Sequence, residues 1–366
     1  MNNTKKAKPV SSIKQGRKRD AITYVMLLVL FAVFFILNST GHLSRSTSGL
    51  LVPVCVYVVA AIALNIVVGF SGELSLGHAG FLSIGAFSGA VFFHLFSFVG
   101  NPVIQLILSM ICAGMLAGAF GFVIGIPVLR LRGDYLAIVT LAFGEIIMNV
   151  MNCVYLGYDA NGWHFSFGSS LNMGEGAVTV LNGPMGVTGN TKVSTFTIAF
   201  ILVLLAFTFT INLMRSRTGR AILAIRDNRI AAESIGLSAT KYKMIAFVSS
   251  AVLTGMAGAL YVMNYASIAP SKFSFNTSIL ILVFVVMGGM GNLRGGIIAA
   301  IILTILPEKL RGLGDFRMLI YAVLLIAMML MTQSAKGKAF SEKVFGPFRK
   351  LLTGLVKKDG KEAEEV

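Results

Sequence analysis

The chain has 366 residues, 56% of them hydrophobic and only 13% charged, with a mean hydropathy of +0.82. A water-soluble domain carries about a quarter charged residues, so this composition excludes one and defines a polytopic membrane protein. A net charge of +16 would suggest nucleic acid in a soluble protein; here it gathers at the two ends and in one loop near Arg215, where it orients the chain and faces anionic lipid.

In chain order, residues 1–20 hold Lys5, Lys6, Lys8, Lys14, Arg17, Lys18 and Arg19 and form a basic cytoplasmic segment expected to be poorly ordered. The apolar, membrane-spanning region runs over 21–333 and begins with a span from Ala21 to Asn38. That span is expected to be retained, because no Ala-x-Ala-like cleavage site follows it and many more spans do. Leu50 to Gly69 is the second span. The glycine-rich run from Gly69 to Gly89 opens the third, which continues to about Phe98. Val103 to Leu129 is the fourth, with Arg130 and Arg132 at its cytoplasmic end, and Asp134 to Tyr155 is the fifth. Residues 157–192 form a long external loop, rich in Gly and Asn, that carries Trp163, the chain's single tryptophan. Val193 to Met214 is the sixth span. It delivers the chain to a basic loop at 215–243, and a seventh span, capped by Ser238, runs to about Tyr265.

The stretch Ser278 to Leu306 is interrupted by Gly288-Gly-Met-Gly-Asn-Leu-Arg-Gly-Gly296. Glycines weaken a helix, and Arg294 is costly in lipid, so two short helices meeting at a turn are expected. Phe316 to Thr332 is the last span, and 334–366 is a tail with eight Lys/Arg. Parity fixes the count. Basic ends and a basic loop all belong on the cytoplasmic side, so the number of spans is even, and splitting the glycine-broken stretch gives ten. The expected fold is all-α: a polytopic membrane helix bundle of about ten transmembrane helices with both termini cytoplasmic. Gly85-x-x-x-Gly89, Gly114-x-x-x-Gly118, Gly121-x-x-x-Gly125 and Gly291-x-x-x-Gly295 place small residues one turn apart, the spacing that lets helices pack closely in lipid. Cys55, Cys112 and Cys153 lie in apolar segments without metal-ligand spacing.

No catalytic set is visible. Gly72 to Gly77 has the spacing of a phosphate loop, but His78-Ala79 follows where Lys and Ser/Thr are needed. This chain therefore carries no nucleotide site or other cofactor site, and any ATP hydrolysis belongs to another subunit. Few charges lie at membrane depth. Glu145 sits 11 residues past Asp134, ~16 Å along a helix at ~1.5 Å per residue, near mid-membrane. It is either a functional carboxylate or a hydrogen-bonded group bridging helices. Glu73, Ser75 and His78 cluster at a glycine-rich helix start near the cytoplasmic face. They can form part of a substrate pathway, whose exposed N–H groups would suit a carboxylate, or a cytoplasmic gate or turn.

The basic loop carries seven Lys/Arg against two acids. Asp227 or Asn228 can start a short helix and Gly236 can end it in the left-handed conformation. Two turns of helix are not stable alone in water, so Arg229 to Ile235 must dock. Two surfaces suit it: anionic headgroups, or a soluble partner that grips it through the small residues Ala231, Ala232 and Gly236.

The run from Gly219 to Gly236, which includes Arg226, Asp227, Ile230, Ala231, Ala232 and Glu233, resembles the coupling segment of branched-chain amino acid ABC permeases. Leu74-Ser-Leu-Gly-His-Ala-Gly-Phe81, the run Leu131 to Ile146, Gly288-Gly-Met-Gly291 and Ile305 to Arg311 are similar to segments of the same family and fall in its order. The chain looks like the larger of that family's two paired membrane subunits. It departs from the pattern at Glu233, which follows the two alanines where the coupling motif has Glu-Ala-Ala, and at Asn182 to Gly189, where the family tends to have Thr-Gly-Gly-x-Asn-Gly. The resemblance implies a bacterial inner-membrane importer that pairs with a second permease subunit. It also implies two cytoplasmic ATP-binding subunits that hydrolyse ATP and a periplasmic substrate-binding protein. In such an assembly the residues from Arg226 to Gly236 couple to the ATPase and the substrate is a branched-chain amino acid. Urea and short-amide permeases share much of the pattern. A reading from another class is an autonomous secondary transporter with Glu145 as proton carrier.

Overall fold

Apolar runs leave the backbone no hydrogen-bonding partner in lipid but itself, and helices are the outcome. The computed structural model of the chain describes residues 10–40, 45–131, 133–159, 162–168 and 178–310, and six positions between 316 and 326; it is 77% helical. Helix α1 spans Val10–Ser39, α2 Arg45–Asn65, α3 His78–Leu95, α4 Pro102–Val128 and α5 Asp134–Cys153. A three-stranded antiparallel sheet follows, with β1 at Val154–Asp159, β2 at Gly162–Phe167 and β3 at Val178–Asn182 in the order β2-β1-β3. Then come α6 (Phe196–Arg215), α7 (Arg217–Asp227), α8 (Arg229–Ser234), α9 (Ala239–Val262), α10 (Phe275–Gly288) and α11 (Leu293–Lys309). Among the described residues, seven helices are long and apolar enough to cross a membrane. The chain divides into two units, Met1–Ile305 and Leu306–Val366. The first holds everything discussed below; the second holds the end of α11 and isolated helical positions as far as Ile326.

Several elements differ from the sequence reading. The fold is not purely α, because the loop between α5 and α6 contains the sheet. Trp163, Phe165 and Phe167 alternate with His164 and Ser166, the period of a strand. Helix α1 begins at Val10, inside the basic segment expected to be disordered. The basic stretch after α6 holds a further helix, α7, besides the short one expected from Arg229. Ser238 precedes α9 without a side-chain cap; only its carbonyl takes part, accepting from Tyr242 N. The span placed at Phe316 to Thr332 lies largely outside the described residues, as does the tail.

The chain breaks between α10 and α11 where the glycine run predicts it. Gly289 and Gly291 take φ of +88° and +78°, a conformation open to glycine and strained for residues with a Cβ, so the reversal needs them.

Helix α9 is the axis of the bundle, and small residues set its neighbours. Gly85 faces Gly255 and Gly89 faces Ala259, numbers that rise together, so α3 and α9 run parallel. Gly114 meets Met256, Gly118 meets Val252 and Gly125 meets Met244, so α4 runs antiparallel to α9. Lipid provides no hydrophobic drive between helices, and close backbone approach with its dispersion contacts takes over that role. Helix α2 is enclosed on nearly all sides, with 94% of its apolar window buried.

A Cβ at Gly85 would collide with the Gly255 carbonyl, whereas one at Gly49 would meet nothing within 4 Å. Gly85→Leu is therefore expected to cost roughly 2 kcal/mol or more through overpacking. In detergent it should lower the melting temperature clearly, while Gly49→Leu leaves it unchanged.

Candidate functional site

Two short helices form the basic corner of the bundle. Ser216 caps α7, its hydroxyl accepting from Gly219 N at 3.2 Å. Asn228 ends α7 and starts α8 in extended conformation, and its Oδ1 accepts from Ala231 N at 3.1 Å, as expected of a cap at that position. Arg229 Nε donates to Glu233 Oε1 at 2.8 Å across one turn. Gly236 closes the helix with φ +86° and open space around it, so the torsion itself, rather than crowding, excludes other residues.

The faces of α8 differ from the sequence reading. Ala232 is turned inward and packs with Ile225 of α7 and Ala239 of α9, bracing the helix from below. Outward stand Ala231 and the two bulky residues Ile230 and Ile235, which are 82% and 75% exposed. A charged helix that turns two isoleucines outward presents a small apolar surface.

Arg226 connects this corner to the membrane helices. Its Nη1 donates to Gly69 O at 3.0 Å, while Nε and Nη2 both donate to Asp227 Oδ1 at 3.0 and 2.9 Å. Gly69 belongs to a π-helical turn, Ile66–Phe70, that ends α2. One turn earlier Asn65, fully buried, accepts from Gly291 N at 2.9 Å. The corner, the end of α2 and the α10–α11 reversal thus share one chain of hydrogen bonds. Asn65 Nδ2 is buried without a hydrogen-bond partner, so half of this amide is uncompensated.

Glu73, Ser75 and His78 do lie at a helix start, that of α3, and all three are buried. Residues 72–77 are non-helical and lead into the bundle, and only His78 belongs to α3. Glu73 pairs with Lys243 near the start of α9, both side chains almost buried. His78 Nε2 lies 2.7 Å from Ser250 Oγ, 11 residues beyond the start of α9 and so ~16 Å along it. The Ser250 hydroxyl donates to Ala63 O at 2.6 Å. With that proton committed, His78 Nε2 must donate to Ser250 Oγ, which leaves Nδ1 facing Ser75 Oγ at 3.3 Å. The backbone of this inserted segment is satisfied by side chains from other helices: Leu76 N donates to Thr140 Oγ1 at 3.0 Å and Ala79 N to Ser278 Oγ at 3.1 Å. Glu145 lies apart from this cluster, and its Oε1 accepts from Phe275 N at 2.8 Å, the first turn of α10. A carboxylate there also complements the positive end of the helix.

Sequence reasoning did not single out Asn65, Lys243 or Ser250. Asn65 carried a readable signal, a lone amide in an otherwise apolar span.

Interrupted helices around buried polar residues are an arrangement that membrane transporters share. Residues 46–332 match the family described as branched-chain amino acid transport system / permease component, and the chain belongs to that family. It is 35% identical to the high-affinity branched-chain amino acid transport system permease protein LivM of Salmonella typhimurium over 324 residues, 85% of this chain and 75% of the relative. LivM of Escherichia coli is likewise 35% identical over 324 residues, covering 85% and 73%. The L-arabinose ABC transporter permease protein AraH of Azospirillum brasilense is 27% identical over 274 residues, 75% of this chain and 72% of that one. No solved structure gives a significant match. The chain is a multi-pass transport permease and not an enzyme.

The buried Ser250 network yields a prediction. Ser250→Ala leaves His78 Nε2–H without its acceptor and takes a donor from Ala63 O, which should cost about 1–3 kcal/mol. Ser249→Ala removes only a bond from the hydroxyl to Ala246 O in its own helix and should cost little. Thermal unfolding of the two variants in detergent measures the difference.

Proposed function

We propose that this chain is one of two membrane subunits of an ATP-driven importer of branched-chain amino acids in a bacterial inner membrane. It works by alternating access with two cytoplasmic ATP-binding subunits and a periplasmic binding protein. The observation that carries the reading is α8, a six-residue helix braced beneath by Ala232 that leaves Ile230 and Ile235 outward for a partner. Closure of the ATP-binding subunits displaces α8 and, through Asn228, α7. Arg226 passes the displacement to Gly69 and the end of α2, and Asn65 passes it on to the reversal at Gly291. In parallel, the Lys243–Glu73 pair links the base of α9 to the inserted segment that ends at His78. In this reading the corner faces the cytoplasm, the chain crosses the membrane ten times and both termini are cytoplasmic.

The relatives' names support the substrate class. AraH shows that the wider group includes sugar permeases, so selectivity is assigned largely to the binding protein. Glu145 serves this reading as a brace between α5 and α10. Its Oε1 accepts from Phe275 N and ties the two helices together.

Reconstitution of the complete transporter in liposomes tests the proposal. Ile230→Asp with Ile235→Asp should leave membrane insertion intact, weaken capture of the ATP-binding subunits and reduce ATP-driven leucine uptake by roughly tenfold or more. Uptake by this chain alone, without ATP, would refute the reading. Glu145→Gln separates it from a proton-coupled carrier: ATP-driven uptake should persist within about twofold, whereas a carrier would lose its response to a pH gradient.

A further inference from the structure

The small sheet between α5 and α6 carries an unusual face. In the β1–β2 register, Val154, Leu156 and Tyr158 stand opposite Phe167, Phe165 and Trp163. Directly paired residues share a face, so this side of the hairpin is wholly apolar. The other side carries Asp159 and His164, paired at 3.0 Å. At the edge of the sheet Trp163, Phe165 and Phe167 are 43%, 67% and 61% exposed, an aromatic stripe that a protein surface in water rarely presents.

The direction in which this face points is known from its inner end. Val154 and Leu181, the latter paired with Leu156, line an apolar cavity of about 320 Å³ together with Phe87 and Val91 of α3 and Ile147 and Met151 of α5. Both helices are membrane spans, so the apolar face is turned toward the membrane-embedded part of the bundle. Strand β1 follows α5 with no residue between Cys153 and Val154, and β2 extends the same face sideways beyond the helices. Depth is limited from the other direction. Among the described residues strand β2 is an edge, and its outer N–H and C=O groups pair with no other strand. Hydrocarbon cannot satisfy them, whereas water and headgroups can.

We propose that the β1–β2 hairpin is an interfacial anchor, with its aromatic face lying on phospholipid at the level of the headgroups and first methylenes. Rings that are apolar in body and polar at one edge, such as Trp163, favour this layer. The hairpin thereby fixes how deep the C-terminal end of α5 sits, and it is not a free surface for a soluble partner.

Trp163 is the chain's single tryptophan, so the emission removed by Trp163→Phe reports this ring even in the complete transporter. The assembled complex would be placed in nanodiscs of phospholipid brominated either near the glycerol end or near the methyl end of the acyl chain. Acrylamide would be added to a third, unbrominated sample. The Trp163 share of emission should fall by roughly half with shallow bromine, less with deep bromine, and only slightly with acrylamide. Phe165→Ser with Phe167→Ser should raise acrylamide quenching at the expense of bromine quenching. Strong acrylamide quenching without a bromine effect would overturn the proposal, because the hairpin would then stand in water, open to a soluble protein. Quenching by neither agent would also overturn it, since the ring would be covered by protein, and stronger quenching by deep than by shallow bromine would place it in the hydrocarbon core.

Discussion

A backbone group at membrane depth has no water to fall back on, so each place where a helix stops inside the bundle must be served by a side chain from elsewhere. That constraint accounts for several of the polar residues in this permease. Thr140 and Ser278 receive the N–H groups of Leu76 and Ala79, where the chain runs into α3. Glu145 receives that of Phe275 at the start of α10. Asn65 receives that of Gly291 at the reversal, and Arg226 donates to the Gly69 carbonyl at the end of α2. Each bond joins two elements distant in sequence, and where the pair is buried, as for Ala79 and Ser278, removing a partner costs about 1–3 kcal/mol. The polar interior is therefore a scaffold for interrupted helices before it is anything else.

The uninterrupted parts follow a different rule. Between α3, α4 and α9, glycine and alanine bring backbones together, and the order of the pairs fixes one neighbour parallel and the other antiparallel to α9. The parallel arrangement follows from the inserted segment: residues 72–77 run from the Lys243 level up to the Ser250 level before α3 begins. Helix α3 consequently starts partway along α9 and rises with it.

Much of this was legible in the sequence. Apolar runs located the spans, Asn228 and Gly236 marked the ends of the short helix, and the glycine run at 288–296 marked the reversal. The burial of Ser75 and His78 was not legible, because span parity counts crossings and is blind to where along a crossing the helix begins. Nor was the facing of α8, since six residues are too few for a periodic signal and alanine suits both a buried and an approachable surface. The strand had a signal in the alternation from Trp163 to Phe167, hidden by its shortness and by the glycines around it.

One consequence follows from the position of Asn228. Asp227 is the last residue of α7 and Arg229 the first of α8, so a single amino acid separates the two rods. The soft torsions at that vertex are its own φ and ψ, and its amide, tied to Ala231, steadies the far arm. A rod joined to its neighbour through one residue cannot slide far without swinging it, so under the proposed coupling a push on the outer arm would reach Arg226 as rotation about Asn228.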